Sequence, residues 1–225
     1  MRSLFTGFLA LLTGIAGCAS YSSIPGPLPK TSCTTVSSAD SSVKISVDPY
    51  VQGDRQRLVF GGELGQDGVI PIQVVVENSG NSRLLVRSSD MVLILPEGAR
   101  INQEGARAAC TKVSVPVGMV LGGLVFGMIG AAAAFNSEEK ARVARLQDYQ
   151  SKEFPDAALA KGDSAHGFLY FILPGRSIKS ALLQVRLTNM DDETSSVMQV
   201  GLESLEYQPP ISPASDKPET GSRKQ

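Results

Sequence analysis

Short hydrophobic runs, several of them alternating with polar residues, follow one another along the chain between residues 43 and 202. Residues 43–47 alternate strictly, which is typical of a strand with one buried and one solvated face. Residues 69–76 are rich in β-branched side chains, which favours a central strand, and Pro71, without an amide hydrogen, is expected near its start. Eight strands are predicted, at residues 43–47, 57–60, 69–76, 84–86, 91–95, 167–174, 181–187 and 197–202.

Turn residues separate these runs, and the resulting pattern predicts a mainly β fold, an antiparallel β-sandwich. The run at 74–78 followed by the run at 167–174 is similar to the immunoglobulin-like domains of many exported bacterial lipoproteins. The resemblance implies an immunoglobulin-like sandwich and leaves the function open, since fold does not determine function. The predicted domain covers residues 43–207, and residues 208–225 form a polar, disordered tail.

One segment does not fit a sandwich, because residues 113–135 contain no charged side chain. As a helix it would be roughly 30 Å long, about the thickness of the hydrocarbon core of a bilayer. Small residues recur at i, i+4 spacing along two neighbouring stripes, which is the pattern of a glycine zipper for close helix packing. These residues are Gly118, Gly122, Gly123, Gly127, Gly130, Ala131 and Ala134.

Residues 136–139 provide a capping Asn and first-turn carboxylates for a second, charged helix at 140–152. The sequence therefore predicts a helical hairpin inserted at residues 113–152, with one apolar and one polar arm. Three arrangements of the apolar arm remain open: packing on its own domain or on another copy, association with a membrane, or a single span that splits the chain.

The N-terminus has the layout of an export signal. Arg2 precedes an apolar stretch at 4–12, and residues 15–18 read Ile-Ala-Gly-Cys. This tetrapeptide resembles the lipobox of bacterial prolipoproteins. The resemblance implies that residues 1–17 are removed between Gly17 and Cys18, and that Cys18 carries diacylglycerol and a fatty acid such as palmitate. An uncleaved anchor helix and ordinary signal cleavage are the alternatives.

Residue Ala19 stands where a retention signal would place Asp, which by analogy implies transport to the outer membrane, facing the periplasm. Residues 18–42 are rich in Ser, Thr and Pro and are expected to form a flexible tether with a reach of about 25 to 30 Å. In an oxidising compartment a disulfide between Cys33 and Cys110 is chemically permitted, and two free thiols are the alternative.

Neither the composition nor the motifs of the chain point to an enzymatic activity. The net charge of -1 offers no general attraction for nucleic acid. Residues 162–164 (Gly-Asp-Ser) resemble the nucleophile block of an esterase family, but His166, the single histidine, lies only two positions beyond Ser164 and no acidic orienter is evident. A turn before a strand is the preferred interpretation.

Residues 191–193 are acidic without the glycine-spaced ligands of a calcium loop, and a hairpin turn is preferred there. No metal site and no cofactor are predicted. We therefore expect a lipid-anchored, non-enzymatic interaction or assembly module of the cell envelope. Its partners would be the membrane, through acylated Cys18 and the 113–135 segment, and a second copy through the zipper. The alternative is a periplasmic carrier for a small apolar ligand.

Overall fold

The structure is a computed structural model, and it describes residues 23–24, 34–39, 42–113, 139–173, 179–204 and 207–209. The predicted signal peptide, the cleavage junction at Gly17 and Cys18, and Cys33 lie outside the described residues. So do all seven residues of the predicted zipper, which are Gly118, Gly122, Gly123, Gly127, Gly130, Ala131 and Ala134.

Nine strands within the described ranges form two antiparallel sheets. Sheet one has the order β1–β2–β3–β7, with β1 Thr34–Ser37, β2 Val43–Pro49, β3 Val69–Asn78 and β7 Ser164–Ile172. Sheet two has the order β5–β4–β8–β9, and β6 also pairs with β4. Its strands are β4 Leu84–Ile94, β5 Arg100–Asn102, β6 Ala157–Leu159, β8 Lys179–Asn189 and β9 Ser195–Ser204. This arrangement confirms the predicted antiparallel β-sandwich.

The main hydrophobic core lies between the two sheets. Alternating residues of each strand point into it, such as Ile45 and Val47 of β2 or Leu183 and Val185 of β8, all fully buried. Each such side chain contributes on the order of 1.5–3 kcal/mol by leaving water. Because β3 lies between β2 and β7, the prediction of a central strand at 69–76 is confirmed.

A layer of helices covers the other face of sheet one and is called the helical layer below. It consists of α1 Gly53–Phe60, the 3-10 helix Leu64–Asp67, α2 Ala106–Lys112, and α3 at residues 139–152. Phe168 and Tyr170 of β7 face this layer, whereas Leu169 and Phe171 face sheet two. The strand β7 is therefore buried on both faces, which explains its uninterrupted apolar run.

Aromatic rings fill the space between the helical layer and sheet one. Phe60 of α1 lies at the centre, with ring centroids 5.0 Å from Phe168, 5.5 Å from Tyr149 and 6.1 Å from Tyr170. All three contacts are edge-to-face, an arrangement that aromatic quadrupoles favour. This second core fixes α1 and α3 on the sheet.

The strand predicted at 57–60 is wrong, because these residues form the last turn of α1. The buried positions Gln56, Val59 and Phe60 follow the helical i, i+3, i+4 spacing. Gly61 ends the helix in the left-handed conformation, with φ 66°, and its N–H donates to the Arg57 carbonyl oxygen. Helical periodicity thus prevails over the local β-propensity of Leu-Val-Phe.

Two further predictions need correction. The strands predicted at 84–86 and 91–95 are one strand, β4, in which a bulge between Val86 and Met91 absorbs the polar residues that separated them. The predicted tether contains β1, which pairs with β2 from Thr34 opposite Val47 to Ser37 opposite Lys44. The folded part of the chain therefore begins before residue 43.

Each sheet contains strands that precede the apolar segment in the sequence and strands that follow it. The strand β3 pairs with β7, and β4 pairs with β8. Residues 113 and 139 consequently lie on the same side of any membrane, so a single span that splits the chain is excluded. The predicted polar helix is present at 139–152. Among the helices of the described ranges, none is both long and apolar enough to cross a membrane.

Gly167 of β7 lies against the backbone of the segment that leads from α3 to β6, and we expect Gly167→Ala to destabilise the fold. A Cβ atom at this position would lie 2.5 Å from the Phe154 Cα and 2.7 Å from its nitrogen. The free energy of unfolding should fall by about 2–3 kcal/mol, a typical cost of overpacking, in urea denaturation. Gly201→Ala in β9 is the matched control, since no atom lies within 4 Å of its Cβ position, and it should change stability by less than about 0.5 kcal/mol. Equal losses in both variants would contradict this account of the packing.

Candidate functional site

A buried lysine lies at the end of α3. The side chain of Lys152 is only 4% exposed, and its amine donates to the carbonyl oxygen of Val59, to Asp148 Oδ2 at 2.6 Å and to Ser23 Oγ at 3.2 Å. The amine also lies 5.6 Å from the centre of the Phe60 ring. Three acceptors match the three N–H donors of an ammonium group. Lys152 therefore joins α3, α1 and the N-terminal segment.

The N-terminal segment contacts the helical layer through two residues. Ser23 accepts the hydrogen bond from Lys152, and the Ile24 N–H donates to the Leu58 carbonyl oxygen of α1 at 3.2 Å. The expected tether is thus held against the domain five residues after Cys18. Five extended residues span at most about 17 Å, which is shorter than the reach predicted from the sequence.

A cleft of about 270 Å³ opens between α2 and α3, and we call it the arginine cleft. Its lining combines apolar side chains with three arginines, and no acidic residue lines it among the described residues. The lining residues are Arg107, Cys110, Thr111, Val113, Arg142, Val143, Arg145 and Leu146. Val113, the first residue of the apolar segment, lies in this lining.

The charges of the cleft are partly compensated. Arg142 Nε and Nη2 each donate to the Glu139 carboxylate at 2.9 Å, one turn earlier on α3. This exposed pair lowers the pKa of Glu139, chiefly through the hydrogen bonds from Arg142. Arg107 and Arg145 place two further guanidinium groups in the lining.

Two polar groups lie beneath the arginine cleft. Burial raises the pKa of the Cys110 thiol, an effect that the charges of Arg145 and Arg142 oppose. Burial also raises the pKa of Tyr149, whose hydroxyl has no hydrogen-bond partner among the described residues. Cys110 belongs to the hydrophobic cluster between the helical layer and sheet one.

The other cysteine prediction stays open. Cys110 is a free cysteine in the structure, and Cys33 lies outside the described residues. The disulfide between Cys33 and Cys110 therefore remains a prediction. The zipper residues and Cys18 likewise remain predictions.

The structure shows turns at the two sites that the sequence analysis interpreted as turns. Gly162 has φ 86°, and Asp163 accepts the Ala160 N–H at 2.9 Å in a turn that precedes β7. The Asp191 N–H donates to Asn189 Oδ1, and the Thr194 N–H donates to Asp192 Oδ1, within the β8–β9 hairpin. In the described part of the chain, no group of three His, Cys, Asp or Glu residues is placed to hold a metal ion.

A larger cleft of about 670 Å³ lies where β2 begins and β8 ends. Serine, threonine and asparagine dominate its polar lining, and its described lining residues include no charged side chain. The amide of Asn78 is used by the fold, because it donates to the Ser82 and Leu159 carbonyl oxygens and accepts the Gly80 N–H. The Asn78 amide therefore stabilises the turns beside this cleft. The lining of the cleft points to no particular ligand.

Sequence reasoning missed two groupings at the helical layer, namely the arginine cleft and the contacts of Lys152. Basic residues flank the uncharged segment on both sides, with Arg107 and Lys112 before it and Lys140, Arg142 and Arg145 after it. This flanking pattern can be read from the sequence. The burial of Lys152 cannot be read from it, because that burial depends on contacts of α3 with α1 and with Ser23.

The chain matches no protein-family model and no curated protein sequence. Among solved structures, it is similar to the Bacillus subtilis protein ycdA, named as a lipoprotein, with 13% identity and a TM-score of 0.42. That match covers 76% of this chain and 38% of the ycdA chain. It is also similar to MPT63, a secreted protein from Mycobacterium tuberculosis, with 13% identity and a TM-score of 0.32 over 73% of this chain and 91% of MPT63. With TM-scores this low, the fold assignment rests on the two sheets themselves.

Because the amine of Lys152 is buried with its acceptors, Lys152→Met should cost about 3 kcal/mol of unfolding free energy by removing the buried cation that donates to Asp148, Val59 and Ser23. Thermal or urea denaturation measures this loss. Lys44→Met is the matched control, since Lys44 forms an exposed ion pair with Glu77 at 3.0 Å, and it should cost at most about 1 kcal/mol. If the two variants lose the same stability, the Lys152 contacts are not structural.

Proposed function

We propose that this protein is a lipid-anchored, non-enzymatic component of the bacterial cell envelope, held in the outer membrane through acylated Cys18. In this proposal the β-sandwich is a scaffold that presents residues 113–135 as an interaction or assembly surface. The observation that carries the proposal is the pairing of β3 with β7 and of β4 with β8. Both ends of the apolar segment therefore return to one place on the domain.

The composition of the segment supports a role in contact with another surface. Gly within a helix that is exposed to water costs up to about 1 kcal/mol per residue relative to Ala, and five of the seven zipper residues are Gly. Close packing against a partner offsets this cost. The partner that fits the repeated small residues best is the same segment of a second copy.

Several side chains that could serve catalysis elsewhere have structural roles in this domain. The Lys152 amine is engaged by three acceptors, and the Cys110 thiol is buried with a raised pKa. His166 is exposed near the start of β7 and lies opposite Val75 in the sheet. These observations support a non-enzymatic function.

The second candidate function is that of a carrier for a small amphiphile. The arginine cleft favours it, because Val113, Val143 and Leu146 offer an apolar lining beside three guanidinium groups. A fatty acid would match this combination. The volume of about 270 Å³ lies just below the usual range of ligand pockets, so the carrier ranks second.

The anchor at Cys18 is testable by metabolic labelling with a palmitate analogue followed by membrane fractionation. We expect the wild-type chain to be labelled and to fractionate with the outer membrane. Cys18→Ser should be unlabelled and should lose its stable membrane association, because the acyl chains supply it. Labelling that persists in Cys18→Ser would overturn the assignment of the anchor.

The zipper is testable by Gly123→Leu, which inserts a bulky side chain into one small-residue stripe. We expect native mass spectrometry of the wild-type protein in detergent to show multiples of the protomer, and Gly123→Leu to show mainly the single protomer. Val125→Leu is the matched control in the same segment and should retain the oligomer. The β-signature in circular dichroism should be unchanged in both variants.

Unchanged oligomers in Gly123→Leu would remove the proposed role of the zipper. A protomer that carries the additional mass of one fatty acid or lipid would favour the carrier instead. The two candidate functions therefore give different masses in one experiment.

A further inference from the structure

The lipid anchor and the domain are connected by a short link, if Cys18 is acylated as proposed above. Ser23 and Ile24 are held on the helical layer by Lys152 and by the Leu58 carbonyl oxygen. Ser23 is five residues after Cys18, and five residue steps span at most about 17 Å when the chain is fully extended. The point at which the chain enters the membrane therefore lies close to the helical layer.

We propose that the helical layer is the membrane-proximal face of the domain, and that the arginine cleft binds the phosphate groups of anionic phospholipids in that membrane. This inference rests on the proposed function, because it takes Cys18 as the anchor. It adds the orientation of the domain and a specific site for lipid headgroups.

The geometry of α3 connects the tether to the cleft. Lys152, which holds Ser23, is ten residues after Arg142, and ten helical residues span about 15 Å. Arg145 lies between them. The attachment of the tether and the arginine cleft consequently lie on one helix, so a membrane that meets the tether is within reach of the cleft.

The charges near the cleft suit phosphate. Arg107, Arg142 and Arg145 line it, and guanidinium groups form charge-assisted hydrogen bonds with phosphate oxygens. Arg142 Nε and Nη2 donate to Glu139, so a phosphate would compete with this carboxylate for the Arg142 side chain. The whole chain has a net charge of -1, so this concentration of positive charge is local.

The charges beside the exposed apolar side chains give the same orientation. Leu58 of α1 is 59% exposed and Val143 of α3 is 43% exposed on the helical layer, and Leu182, Met190 and Val197 are exposed around sheet two. Exposed apolar side chains beside basic ones are typical of surfaces that contact lipid headgroups. The acidic hairpin at residues 191–193 belongs to sheet two, away from this layer in the stacking order.

Site-specific photocrosslinking in cells tests the orientation. A photoreactive amino acid at Leu58, beside the tether, should crosslink to phospholipid in the lipidated full-length protein. The same amino acid at Val197, which is 50% exposed on β9 of sheet two, is the matched control and should not. Equal crosslinking at the two positions, or crosslinking at Val197 alone, would overturn the orientation.

Vesicle binding tests the cleft. The mature full-length chain with Cys18→Ser should bind vesicles of phosphatidylcholine mixed with phosphatidylglycerol more tightly than vesicles of phosphatidylcholine alone. At about fivefold per basic residue near an anionic surface, the triple variant Arg107→Gln/Arg142→Gln/Arg145→Gln should weaken this binding on the order of ten- to a hundredfold. The triple variant Arg83→Gln/Arg100→Gln/Arg186→Gln changes the same net charge around sheet two and should weaken it by less than about threefold.

Equal effects of the two triple variants would show a general charge effect and would overturn the cleft as a specific site. No preference of the Cys18→Ser chain for anionic vesicles would overturn it as well. The proposed function is tested separately by palmitate labelling. Absence of labelling at Cys18 would remove the anchor, and this result does not depend on whether the cleft binds anionic vesicles.

Discussion

The antiparallel pairing of β3 with β7 is the constraint on which the rest of the structure depends. Nine residue pairs join the strands, from Val69 opposite Ile172 to Glu77 opposite Ser164. Sheet one is thereby closed by a strand that follows the inserted segment in sequence. The pairing also supplies both hydrophobic cores, because consecutive residues of β7 face sheet two and the helical layer in turn. Loss of this pairing would separate the two halves of the domain and the two ends of the insertion.

The sandwich could be predicted from the sequence because its strands carry strong local signals. Alternation at 43–47 and β-branched density at 69–76 both correspond to strands of the structure. The segment at 57–60 misled the analysis, since three apolar residues are too few to distinguish the last turn of a helix from a short strand. The capping Gly61 was the better signal, and its position after Phe60 marks the end of α1.

The helical layer could not be derived from periodicity alone. Lys152 has the sequence context of a solvated helix, yet its amine is buried among Val59, Asp148 and Ser23. Burial of an ammonium group costs several kcal/mol unless charge and hydrogen bonds compensate it. That compensation comes from three separate parts of the chain, so no local pattern reports it. The contact of residues 23–24 with the domain was hidden for the same reason.

The rigidity of the helical layer bears on how the inserted segment could work. α2 and α3 both pack on the aromatic core, with Ala109 and Tyr149 fully buried, so the two ends of the insertion are fixed to sheet one. Binding through residues 113–135 would then lose conformational entropy mainly within the segment itself, because its ends are already ordered. If Cys18 is the anchor, as proposed, the contacts of Ser23 and Ile24 with α3 and α1 limit the distance between the sandwich and the membrane.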